Sequence, residues 1–222
     1  MGDNYGIHVS GGQVTGSSIA AGPGARAISY GSAPEPEPLK PSPDKERNVF
    51  VIHGRDEQAR LAVFDLLRRM GLVPLEWETL VRETASASPH LLDVVGQALT
   101  MAQAVVVLMT PDDVVQLHPG LAGDDEEDGG VGCQARPNVL FEAGMAFGVS
   151  PRRTLLVRLG RMRPVSDIAG LNYVQLDGAP GSVQKLRLRL ENAGCKPLGT
   201  GVDYFDPALL RDLAAYTRRP PR

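Results

Sequence analysis

One carboxylate stands in an otherwise apolar stretch, and its surroundings point most directly to chemistry. Glu142 lies in the run Pro137-Asn-Val-Leu-Phe-Glu-Ala-Gly-Met-Ala-Phe147, most of which is apolar. A carboxylate that loses its hydration is costly unless it has a partner or a ligand, and such groups are candidates for functional sites. Two interpretations follow: a catalytic carboxylate, or the acidic member of an ion pair with Arg136, Arg152 or Arg153.

A short polar segment, His53-Gly54-Arg55-Asp56, follows an apolar run and is the second candidate. Gly54 lets the backbone approach a ligand closely, because it has no side chain. The guanidinium of Arg55 suits a phosphate or a carboxylate. The alternative interpretation is a tight turn with an exposed arginine.

The sequence lacks the residue patterns of several other kinds of site. The histidines and the two cysteines have no metal-ligand spacing, and the acidic run 124–128 lacks the spaced ligands of an EF-hand loop, so we expect no metal site. No GxSxG, GxxxxGK[ST] or strand-associated GxGxxG motif is present. Their absence disfavours an α/β-hydrolase, a P-loop NTPase and a standard dinucleotide dehydrogenase.

The elements that must position these residues alternate between strands and helices from residue 48 onward. We expect strands at 48–53, 72–77, 104–109, 154–158 and 173–176. We expect helices from a cap at Asp56 to Met70, at 91–102, at 138–147, and from a cap at Ser182 to Ala193. Residues 112–136 are predicted to form a loop, whose acidic part at 120–132 acts as a lid or is only an insertion.

This alternation predicts an α/β fold, a flavodoxin-like three-layer sandwich with a five-stranded parallel sheet. Pro74 places the second strand at the edge of the sheet. Ligands of such sheets bind beyond the carboxyl ends of the strands, which is where Gly54, Arg55 and Trp77 are expected. Trp77 either stacks on a ring of a ligand or belongs to the core.

The composition divides the chain into three parts. Residues 1–46 form a Gly-rich segment with a Pro-rich linker, 47–194 the folded domain, and 195–222 a C-terminal tail with a short helix. The N-terminal segment is either a flexible tail or a set of short strands that order on a partner chain. Residues 218–222 are expected to fray.

The charge and the cysteine content indicate where the chain works. A net charge of −3 and a pI of about 5.8 argue against binding to nucleic acid or anionic membranes. We find no apolar run of about 18 residues and no signal-peptide pattern at the start. We therefore expect a cytoplasmic chain with reduced cysteines.

Four blocks of the sequence carry a resemblance to a known family. They are Val49-Phe-Val-Ile-His-Gly-Arg-Asp56, Trp77, Val107-Leu-Met-Thr-Pro-Asp-Asp113 and Arg136-Pro-Asn-Val-Leu-Phe-Glu-Ala-Gly144. Over about residues 48–177 the chain resembles the bacterial TIR-like domains of effectors in cyclic-nucleotide-triggered anti-phage systems, including the Pycsar type. The blocks occur in the order that this family has.

The resemblance implies an NAD⁺ glycohydrolase, with NAD⁺ as substrate and no further cofactor, and Glu142 as the catalytic glutamate. The leaving nicotinamide needs no general acid, and one carboxylate can stabilise the oxocarbenium character of the ribose. By the same resemblance Arg136 and Asn138 either fix Glu142 or contact phosphate. Asp112 either contacts the substrate or, with Asp113, caps the turn after the third strand.

The family also implies partners and regulation: homo-oligomerisation on activation, switched on by a cyclic pyrimidine nucleotide. Ser86 and Ser88 fall where TIR domains carry a mobile loop over the site. The roughly 45 residues before the TIR-like part are too few for a β-roll sensor, so a partner senses the signal or the chain binds it in an unfamiliar way. Two alternative functions remain: a non-enzymatic TIR scaffold and a nucleoside 2-deoxyribosyltransferase-like enzyme.

Overall fold

The computed structural model describes residues 43–84, 91–121, 130–163, 172–199 and 206–221. The strands in chain order are β1 (Asn48–His53), β2 (Val73–Leu75), β3 (Ala104–Met109), β4 (Asp113–Val115), β5 (Gly132–Gln134), β6 (Thr154–Arg158) and β7 (Val174–Gln175). Five of them form one parallel sheet in the order β2-β1-β3-β6-β7. The predicted fold class and the position of β2 at the edge of the sheet are confirmed.

Helices connect the strands of the sheet. They are α1 (Glu57–Arg69), α2 (Trp77–Glu83), α3 (Leu91–Met101), α4 (Pro137–Val149), α5 (Pro180–Asn192), α6 (Pro207–Leu210) and α7 (Ala214–Thr217). Short 3-10 turns at Lys45–Arg47 and Pro151–Arg153 precede β1 and β6. Strand–helix–strand connections of this kind are what a parallel sheet requires.

The two faces of the sheet have separate apolar cores, because successive side chains of a strand point to opposite faces. On one face, Val49 and Val51 of β1 pack with α1, α5 and the C-terminal segment 206–221. On the other, Phe50 and Ile52 pack with α2, α3 and α4. The central strand β3 is buried along its whole length, as its continuous apolar sequence predicts.

Several predicted element boundaries were wrong. β2 ends at Leu75, and Trp77 is the first residue of α2, not the last residue of a strand. The predicted loop at 112–136 contains the antiparallel pair β4–β5. Ser182 lies inside the first turn of α5, because Pro180 occupies a first-turn position that suits its fixed φ.

The C-terminal prediction also needs correction. Two short helices, α6 and α7, stand where one short helix was expected, and Asp212 between them has a positive φ of 59°. Arg218 does not fray, since its guanidinium forms an ion pair with the buried Asp56. The N-terminal segment up to residue 42, Ser86, Ser88 and residues 122–129 of the acidic loop lie outside the described residues.

Candidate active site

Glu142 lies in the second turn of α4, at the margin of the helix face that packs on the sheet. Val139, Ala143 and Ala146 are buried on this face. Glu142 comes three residues after Val139 and four before Ala146, so its side chain runs along the edge of their stripe. It is therefore half-buried, although the helix carries no other charge.

The electrostatic setting of Glu142 is that of a desolvated carboxylate. Burial raises the pKa of its carboxyl group above the ordinary value. Among the described residues, no hydrogen bond or ion pair to this carboxylate is present. Arg136 instead pairs with Asp113, and Arg153 donates to the carbonyl of Ala102 and to the hydroxyl of Ser150.

The loop after β1 lies directly against the turn after β3. The backbone N–H of Arg55 donates to Oδ2 of Asp112 at 2.7 Å. A Cβ on Gly54 would lie 1.9 Å from the same oxygen, so only glycine fits there without rearrangement. Asp112 is nearly buried, at 5% side-chain exposure, and it holds a backbone amide of the neighbouring loop. Arg55 itself is exposed, and no acidic partner is present among the described residues.

The start of α4 carries two more predicted residues. Nη1 of Arg136 lies 3.3 Å from Oδ1 of Asp113, and this contact links the start of the helix to β4. Asn138, in the first turn of α4, is exposed. Arg136 is the residue before the helix that carries Asn138 and Glu142, and it precedes Glu142 by about 1.7 turns.

Trp77 packs partly buried against the core on the α4 side of the sheet. The preceding residue, Glu76, lies 3.4 Å from Arg68 and 3.7 Å from Arg60, both on α1, so the start of α2 is tied to the neighbouring helix. Trp77 therefore lies on the same side of the sheet as Glu142. Its contacts fit the core interpretation and leave part of the ring exposed.

Arg158 is a candidate that the sequence reasoning did not single out. It ends the strand β6 after three apolar residues, beside Met109 at the carboxyl end of β3. Its Nη2 donates to the carbonyl of Met162 at 2.9 Å, and its guanidinium lies 5.4 Å from the ring centroid of Tyr173. Its Nε is buried and has no hydrogen-bond partner among the described residues. The available signal was a single arginine at the carboxyl end of a buried strand.

Together, these residues form two sets. Gly54, Arg55 and Asp112 are in direct contact, and Arg136 is the residue before the helix that carries Asn138 and Glu142. The first set follows the carboxyl ends of β1 and β3, where parallel sheets bind ligands, and the second follows β5 of the two-stranded sheet. The first set offers one guanidinium, that of Arg55, without an acidic partner among the described residues, and the second offers a half-buried carboxylate.

The described residues also bear on metal binding, disulfide bonds and membrane insertion. Within the described ranges, no group of three or more His, Cys, Asp or Glu side chains is arranged to hold a metal. The two cysteines, Cys133 and Cys195, are unpaired and buried. None of the described helices is long and apolar enough to cross a membrane.

Comparisons with known proteins give one family match and one relative. A family model described as "CAP12/Pycsar effector protein, TIR domain" matches residues 48–178, a range that contains every predicted site residue. The chain is also 32% identical over 162 residues to "Uncharacterized protein YuaY" of Escherichia coli (strain K12). That match covers 72% of this chain and 49% of the relative, so the chain spans about half the length of the curated relative.

Proposed function

Since the chain belongs to the family of TIR domains of CAP12 and Pycsar effector proteins, an anti-phage effector family, we propose that it is an NAD⁺ glycohydrolase. It cleaves NAD⁺ to nicotinamide and an ADP-ribose product, and so depletes NAD⁺ during phage infection. The observation that carries the proposal is Glu142, a half-buried carboxylate without a partner among the described residues. A scaffold that only binds other TIR domains has no need to desolvate a carboxylate at this cost.

The proposed reaction uses one carboxylate. The bond between C1′ of the ribose and the nicotinamide nitrogen breaks, and its electron pair stays on nicotinamide, which leaves as a neutral base. Glu142 stabilises the positive charge that develops at C1′, as preorganised charges do in glycoside hydrolysis. Water then adds to C1′ and releases one proton, so NAD⁺ and water give nicotinamide, ADP-ribose and H⁺.

The diphosphate of NAD⁺ needs cations that are not already neutralised. Arg136 pairs with Asp113, whereas Arg55 and Arg158 have no carboxylate partner among the described residues. Both follow strands of one sheet at its carboxyl edge, and guanidinium groups bind phosphate in a bidentate manner. We therefore assign the diphosphate to Arg55 and Arg158, with Asn138 and Trp77 as further contacts to the substrate.

The decisive experiment measures nicotinamide release from NAD⁺ by purified protein at high concentration. Glu142→Gln keeps the shape of the side chain and removes its charge, and we expect at least a hundredfold loss of kcat. Glu191→Gln, at an exposed glutamate of α5, is the matched control and is expected to retain activity. Equal release by wild type and Glu142→Gln would contradict the assignment.

The assay also separates the alternative functions. Base exchange on deoxynucleosides without nicotinamide release would identify the deoxyribosyltransferase-like enzyme. Well-folded protein that is silent with NAD⁺ under every condition would favour the scaffold. Cyclic pyrimidine nucleotides are added in parallel, because we propose that such a signal switches the enzyme on through homo-oligomerisation.

A further inference from the structure

The C-terminal segment 206–221 is anchored to the domain by apolar packing. Leu210 and Ala215 are fully buried in the core that β1, β3 and α1 share. The backbone N–H of Ala214 donates to Oε1 of Gln58 on α1 at 3.0 Å. A Cβ on Gly160, just after β6, would lie 2.1 Å from the carbonyl oxygen of Ala215. The segment therefore has one fixed position on the domain.

This anchoring brings Arg218 to two buried carboxylates. Its Nη1 lies 2.7 Å from Oδ2 of Asp56 and 3.7 Å from Oδ1 of Asp112. The side chains of Asp56 and Asp112 are 4% and 5% exposed, whereas that of Arg218 is 35% exposed. A buried charge that loses its partner is strongly destabilised, so the guanidinium of Arg218 is what balances this pair.

Both carboxylates hold the segment that follows β1. Oδ1 of Asp56 accepts the backbone N–H of Ala59 at 3.0 Å and so caps α1. Oδ2 of Asp112 accepts the backbone N–H of Arg55 at 2.7 Å. Oδ1 of Asp112 has no hydrogen bond among the described residues, and Arg218 is the cation that faces it.

We infer that Arg218 is a positioning residue of the NAD⁺ site: it fixes Asp112 and thereby holds the backbone of Arg55, whose guanidinium binds the diphosphate. The inference rests on the proposed function. Arg218 lies beyond residues 48–178, the range of the family match. The site that we propose within the matched domain is thus completed by a residue outside it.

The test compares Arg218→Met with Arg219→Met. Arg219 is the matched control, because the contacts of its guanidinium with described residues are to backbone carbonyls of its own segment, those of Tyr216 and Arg218. We expect Arg218→Met to raise the KM for NAD⁺ at least tenfold with kcat changed less than threefold. Arg219→Met is expected to stay within twofold of wild type in both constants, and Arg218→Lys to recover part of the lost affinity.

An activity-independent measurement keeps this inference separate from the proposed function. Hydrogen–deuterium exchange reports the Arg55 amide directly, and we expect it to exchange at least tenfold faster in Arg218→Met but not in Arg219→Met. Unchanged exchange would overturn the positioning role, whether or not the protein cleaves NAD⁺. Faster exchange with an unchanged KM would overturn the link to substrate binding.

A double variant tests the route through Asp112. Asp112→Asn removes the buried charge that Arg218 balances and keeps an acceptor for the Arg55 amide. If Arg218 acts through Asp112, adding Arg218→Met to Asp112→Asn raises KM less than threefold. A full tenfold rise in that background would contradict this route.

Discussion

Glu142 is a residue at which proposed activity and stability oppose each other. Its surroundings on α4 raise the pKa of its carboxyl group, because burial disfavours the charged form. A carboxylate whose pKa is higher in the folded protein than in the unfolded chain destabilises the fold at neutral pH, and this cost disappears below the unfolded pKa. The desolvation that favours a charged transition state therefore lowers the free energy of unfolding at neutral pH.

The pH profile of the proposed reaction follows from this shift. Because Glu142 acts as a carboxylate, kcat/KM, which reports the free enzyme, is expected to fall as the pH is lowered through its folded-state pKa, which lies above the ordinary 4.5. The measurement is kcat/KM for nicotinamide release against pH, with circular dichroism to confirm folding at each point. An acidic limb at or below 4.5 would contradict the role of burial.

His53 is the control for this profile. Burial lowers the pKa of its imidazole from 6.5, so it too titrates in acid. Its ring packs against Phe64 of α1, on the opposite face of the sheet from α4. The variant His53→Asn is therefore expected to leave the acidic limb in place.

Among the secondary-structure elements, the sequence predicts strands with a continuous apolar run and misses strands of only three residues. The strands β1 and β3 were predicted with their observed bounds, because an unbroken apolar run has one possible place in a parallel sheet. The three-residue strand β2 and the β4–β5 pair are too short to show a period. Trp77 was consequently placed in a strand, since the residue before it, Glu76, makes no side-chain cap.

The residues of the candidate site also differ in whether the sequence predicts them. Glu142 was found from one local stretch, because a charge in an apolar helix is visible in the sequence. Arg218 was missed, since 162 residues separate it from Asp56 and no local pattern connects them. Contacts of this kind follow from the packing of whole elements, which a single sequence does not reveal.

The loop between β1 and α1 gives a prediction on glycine. Gly54→Ala places a methyl group against the held carboxylate of Asp112, and we expect a loss of about 1–3 kcal/mol in the free energy of unfolding. Gly96→Ala is the control: Gly96 lies in α3 with no atom within 4 Å of an added Cβ. It is expected to stabilise the protein by about 0.4–1 kcal/mol. Urea denaturation measures both, and equal effects would contradict the close approach.

In the whole molecule, the two faces of the sheet carry different parts of the proposed site. The α2–α3–α4 face carries Trp77 and Glu142, whereas the opposite face carries α1, α5 and the C-terminal segment. The proposed chemistry uses the first face and is stabilised from the second through Arg218.

The proposed activation predicts a change of size. With a cyclic pyrimidine nucleotide, the full chain is expected to form larger assemblies by light scattering as nicotinamide release rises. Deleting residues 1–45 is expected to lower both, because we propose that residues 1–30 contribute to assembly. Assembly and activity that are unchanged by the deletion would contradict a role for the segment.

The contact between Arg218 and Asp56 also has a consequence for protein synthesis. A ribosome adds Arg218 162 residues after Asp56, which at ordinary elongation rates takes on the order of ten seconds. During that interval every strand of the sheet has been made, but the cation that balances Asp56 and Asp112 has not. We therefore expect the proposed NAD⁺ site to reach its final geometry only after Arg218 has been added.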